Sequence, residues 1–129
     1  MKEEAYVSFE TAKLLKEKGF DWPTIEYYSS SGGIYRFTDG IADICGILSY
    51  QRPTQQMACR WLREEHKIHI TTEPLEMFKQ ERIVYEPIIY LLNDFDDFAL
   101  EYKTVHLKEC DTNEDAIEVA LEYALTKLI

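Results

Sequence analysis

The chain predicts an α+β fold: a single domain over residues 1–129, with an antiparallel sheet (three C-terminal strands plus an N-terminal hairpin) and about three helices packed on it. Three observations carry that expectation. The segments run helix, hairpin, helix, three strands, helix, without the strand-helix alternation that builds a parallel sheet. With 46% hydrophobic and 29% charged residues, the 129-residue chain has enough apolar surface for one core without disulfide or metal staples. No internal repeat, low-complexity tract or linker divides it.

Each element has a local reason. Val7 to Phe20 reads as a helix with Ser8 as N-cap, Glu10 in the first turn and Gly19 as the stop; Phe9, Ala12 and Leu15 form its apolar stripe, and Phe20 folds back on it. Two aromatic, β-prone runs, Pro23 to Tyr28 and Ile34 to Phe37, flank Ser29-Ser30-Ser31-Gly32-Gly33, which is a hairpin signal with a long loop. Residues 38–53 contain the turn Thr38-Asp39-Gly40 and an apolar run without a clean period, and they read as a partly buried connection. Pro53-Thr54 opens a second helix, whose Met57, Ala58, Trp61 and Leu62 repeat at helical spacing up to about His66.

Lys67 to Thr72 alternates as a strand, and Glu73-Pro74 breaks the chain after it. Arg82 to Leu91 is β-rich but holds Pro87, which cannot donate a ladder bond, so it is expected at a sheet edge or bulged near Pro87. Asn93 to Asp97 makes a turn into a third strand, about Phe98 to Leu107. Thr112 with Asp115 begins the last helix, with Ile117, Ala120, Leu121, Ala124, Leu125 and Leu128 on a wide apolar face.

Composition narrows function by exclusion. Fourteen Lys and Arg against 24 Asp and Glu give a net charge of -10, which argues against a general nucleic-acid coat protein. The charged start Met1-Lys2-Glu3-Glu4 lacks a signal-peptide core and no long apolar run is present, so a cytoplasmic protein without a membrane span is expected. Cys45, Cys59 and Cys110 form no C-x-x-C pair and read as reduced thiols. No catalytic residue, cofactor site or metal site is assigned. His66 and His69 after Glu64-Glu65 lack the spacing of a helical metal pair, and the Asn93 to Asp97 run fails the calcium-loop template because Phe98 falls at the fifth position. Ser29 to Gly33 lacks the lysine of a P-loop, and no Gly-x-Ser-x-Gly elbow supports a nucleophilic serine.

The informative feature is uneven charge. Residues 51–72 carry Arg52, Arg60, Arg63 and Lys67 against Glu64 and Glu65, a net of +2, so the rest of the chain sums to -12. At about 100° per residue, Gln56, Arg60, Arg63 and Lys67 fall within a sector of about 60° on one helix face. That stripe is the candidate partner-contact surface, against the plainer reading of a solvated face that pairs with its own acidic neighbours.

Three stretches together carry a resemblance: Val7 to Asp21; Pro53-Thr54-Gln55-Gln56 through Trp61-Leu62-Arg63-Glu64 to Ile68-His69-Ile70; and Ala116 to Ile129. In these, about half of the chain, the protein resembles an uncharacterised family of small proteins carried by gut Bacteroidales and their phages or integrated elements. The resemblance implies a bacterial or phage setting and brings no activity or catalytic residues; residues 24–50 match nothing in it. Separately, the order helix, three strands, helix from residue 54 is similar to the double-stranded-RNA-binding fold, but Asn113-Glu114-Asp115 stands where that family has basic residues.

The expectation is therefore a non-enzymatic cytoplasmic interaction module, an accessory protein of a phage or mobile element, that binds another protein or a second copy of itself. The alternative is a nucleic-acid-related protein that either binds through the basic stripe or acts as an acidic DNA mimic.

Overall fold

Helix formation starts where side chains can satisfy the first free amides. In the computed structural model, which describes residues 5–36, 49–77 and 81–129, the Ser8 hydroxyl accepts from Thr11 N at 3.2 Å and opens α1, Phe9–Glu17. Gly19 at φ 95° ends it, and the Phe20 amide reaches back to Leu15 O at 2.9 Å. Thr54 opens α2, Gln55–His66, by accepting from Met57 N at 3.1 Å, and Thr112 opens α3, Asn113–Tyr123, by accepting from Asp115 N at 3.1 Å. A π-helical turn, Ala124–Leu128, continues α3.

The hairpin forms as β1, Glu26–Ser29, against β2, Ile34–Arg36, in the register Glu26 to Arg36. Gly32 at φ 94° makes the turn, which the Ser29 amide closes onto Gly33 O at 2.7 Å. A short β3, Ser49–Gln51, pairs on the other side of β1, so part of the expected connection is a strand and the sheet order is β2-β1-β3. The turn expected at 38–40, the apolar run 41–48 and Cys45 lie outside the described residues.

The second sheet has order β4-β5-β6, built from β4, Ile68–Met77, β5, Arg82–Asp96, and β6, Glu101–His106. Two expectations about proline fail here. Glu73-Pro74 does not break the chain: β4 runs through both, and as an edge strand it tolerates Pro74 opposite Tyr85. Pro87 lies neither at an edge nor beside a bulge but in the central strand β5, paired with Thr72 on one side. Its carbonyl accepts from Leu107 N at 3.0 Å on the other side. An antiparallel residue directs its N and O at the same neighbour, so the missing N–H faces Leu107, one residue past the end of β6. The lost bond falls where the ladder stops. The register shift lies further on, between Leu91 and Phe95. The residues Asn93 to Asp96 therefore belong to β5, and the turn follows them.

One apolar cluster extends from Val7 to Leu125 and joins the three helices to β4 and β5. Leu15, Leu62, Ile89, Leu121 and Leu125 are fully buried, each stabilising the fold by about 1.5–3 kcal/mol relative to exposure. Phe20 meets Trp61 edge-on at 5.5 Å, which ties the loop after α1 to α2. The first sheet is fastened by Arg52, whose guanidinium pairs with the half-buried Glu26 carboxylate and lies 4.0 Å from the Tyr6 ring centroid.

Candidate interaction surface

Amphipathic spacing decides which side of α2 meets solvent. Ala58, Trp61 and Leu62 are buried, which turns Gln56, Arg60 and Arg63 outward. Between this face, the first turns of α3 and β4 lies an open groove of about 770 Å³. Met57, Cys59, Ile70 and Ile117 supply its apolar lining, and Gln56, Arg60, Arg63 and Glu114 its polar lining.

A polar network holds the walls together. Glu118 on α3 accepts from Thr11 Oγ1 at 2.8 Å, from the Ser8 amide at 3.2 Å and from Gln55 Nε2 at 3.2 Å, so one carboxylate joins the N-termini of α1 and α2. Gln55 Nε2 also donates to Glu114 O at 2.9 Å, and Thr72 on β4 hydrogen-bonds Asn113 at the start of α3. The groove is thus bounded by elements fixed to one another.

The four residues of the stripe do not stay together. Gln56, Arg60 and Arg63 line the groove together, but Lys67 does not. Lys67 is the C-cap at φ 58°, past the last helical turn, and its ammonium donates to Glu64 O at 3.2 Å. The helical projection ceases to apply once the backbone turns left-handed. Arg60 pairs with Glu64 at 3.0 Å and stands 5.8 Å from the Trp22 ring centroid. Arg63 has no ion pair among the described residues. Its charge reaches the two groups beside it: burial pushes the Cys59 thiol up to about 12 despite Arg63, and burial followed by Arg63 lowers His69.

The remaining candidates separate in space. His66 meets the Trp61 ring at 4.8 Å, His69 lies beside Tyr90 on the β4–β5 ladder, and His106 on β6 contacts Glu86 at 2.7 Å. Among the described residues no group of three or more His, Cys, Asp or Glu is placed to hold a metal ion. The acidic run has a structural use, since Asp96 Oδ1 accepts from the amides of Phe98 at 2.9 Å and Ala99 at 3.2 Å. Ser29 likewise serves its turn, accepting from Gly33 N at 3.0 Å.

Two features escape a reading of the sequence alone. Trp22 and Ile117 reach the groove only through tertiary packing, with no signal in their own neighbourhoods. The β5–β6 turn carries Phe98 and Leu100 into solvent, at 101% and 76% exposure; the only local signal is an aromatic directly after Asp96-Asp97, which also describes an ordinary turn.

No helix among the described residues is long and apolar enough to cross a membrane. No protein-family model, curated protein or solved structure matches the chain.

Proposed function

We propose that this chain is a non-enzymatic protein-interaction module that receives its partner in the groove beside α2. The observation that carries the reading is Arg63: an exposed cation with no ion pair among the described residues, on the rim of a groove with an apolar floor, in a chain of net charge -10. An acidic partner segment with an apolar anchor fits that combination, because charge steers the encounter and apolar burial holds the complex. Against a catalytic role stands the chemistry of the groove's one thiol, since Cys59 with a pKa near 12 is scarcely ionised at neutral pH. The bacterial or phage setting and the cytoplasmic location implied by the sequence belong to the same proposal.

Nucleic-acid binding has less support. With Lys67 turned away the stripe offers only Arg60 and Arg63 to a phosphate backbone, and the apolar floor at Met57, Ile70 and Ile117 has no counterpart on one. The test is retention by the immobilised chain, under nuclease treatment, of a partner from the native host. The reading predicts a protein that the wild type retains and that the Arg60→Glu/Arg63→Glu chain loses. Equal retention by both chains, or retention abolished by nuclease, overturns it.

A further inference from the structure

We infer that the occupant of the groove is the β5–β6 tip of a second copy of this chain, the two copies exchanging tips; the inference rests on the reading of α2 as a protein-contact surface. The tip is the most exposed apolar feature among the described residues, with Phe98 at 101% exposure. It is also an ordered turn. Asp96 caps the amides of Phe98 and Ala99, Leu100 is held at φ 56°, and Phe95 meets Tyr102 edge-on at 5.0 Å at its base. A turn fixed in this way loses little freedom when it docks. Within one chain the arrangement returns nothing to stability, because the side chain it presents stays in water.

Charge selects the occupant. From Asn93 to Tyr102 the tip carries Asp94, Asp96, Asp97 and Glu101 and no cation. Two chains of net charge -10 repel over most of their surfaces, and the α2 face, with Arg63 and Arg60, is where an acidic arm meets cations. Phe98 then enters the apolar floor at Met57, Ile70 and Ile117 while Asp94 and Asp97 approach the arginines on the rim. Reciprocal exchange uses the same pair of surfaces twice, so the assembly closes as a two-fold dimer instead of growing into a filament.

Light scattering on the full chain at micromolar concentration and physiological salt tests this. The wild type is expected at twice the 15.2 kDa chain mass. Phe98→Ala is expected to weaken the dimer about tenfold or more with an unchanged circular dichroism spectrum, since the side chain lies outside the core. Arg60→Glu/Arg63→Glu and Asp94→Lys/Asp97→Lys are each expected to be monomeric alone. Mixed in equal amounts they should recover the dimer, because each tip then faces a groove of opposite charge. A monomeric wild type, a dimer insensitive to these changes, or no recovery on mixing overturns the inference. If the wild type is monomeric yet retains a foreign protein that Arg60→Glu/Arg63→Glu loses, only the second copy is excluded and the contact surface stands. Loss of both results removes both readings.

Discussion

At Cys59 and His69 burial decides what each group can do, and Arg63 modifies the outcome. The Cys59 thiol is pushed to about 12, first by burial and against the pull of Arg63, from an ordinary 9.0. Its thiolate fraction at pH 8 is about a thousandfold below that of a free cysteine, so alkylation of Cys59 in the folded chain should be slower by about that factor. Peptide mapping after timed labelling checks this, and labelling at the free-thiol rate would contradict it. His69 is lowered from 6.5, by burial first and by Arg63 second. The unfolded chain therefore takes up this proton first on acidification, and the stability contributed by the neutral ring is complete above pH 6.5 and lost as pH falls below it. An Arg63→Gln chain should show a higher His69 midpoint by NMR titration, still below the ordinary value because burial remains. An unchanged midpoint would place Arg63 away from His69.

Among the elements, Glu118 is the joint. Removing it in Glu118→Ala leaves the fully buried Thr11 hydroxyl without its 2.8 Å acceptor and the Gln55 amide with one partner fewer. The expected loss is about 2–3 kcal/mol, read as a lower urea midpoint at unchanged slope, and Thr11→Val in the same background should recover part of it. A loss near zero would show that water replaces the carboxylate. The helix starts were legible from the sequence because capping is local: Ser8, Thr54 and Thr112 each accept from the amide three residues on. The strands were less so. Whether a proline is tolerated depends on which side of a ladder its nitrogen faces, and that is fixed only when the neighbours are known. Pro74 fits because β4 is an edge strand, and Pro87 fits because β6 ends beside it, yet the sequence around each looks equally disruptive.

For the whole molecule, the uneven charge proves more informative than its sum. Gln56, Arg60 and Arg63 of the basic segment line one groove, while the helix end takes Lys67 away from it. The groove itself was not legible, since its far wall comes from residues 113, 114 and 117, distant in sequence and placed by the Glu118 network. Among the described residues the acidic remainder is spread over α1, α3, the strands and the β5–β6 tip, where Asp96 is committed to capping a turn.

The central claim is that the α2 groove contacts protein, and a photo-crosslinking residue in place of the exposed Gln56 tests it most directly. In the native host the account predicts a discrete crosslinked protein species, whose adduct maps to an acidic segment bearing an exposed aromatic residue and disappears in the Arg60→Glu/Arg63→Glu background. No protein crosslink, or one indifferent to those two charges, would contradict it.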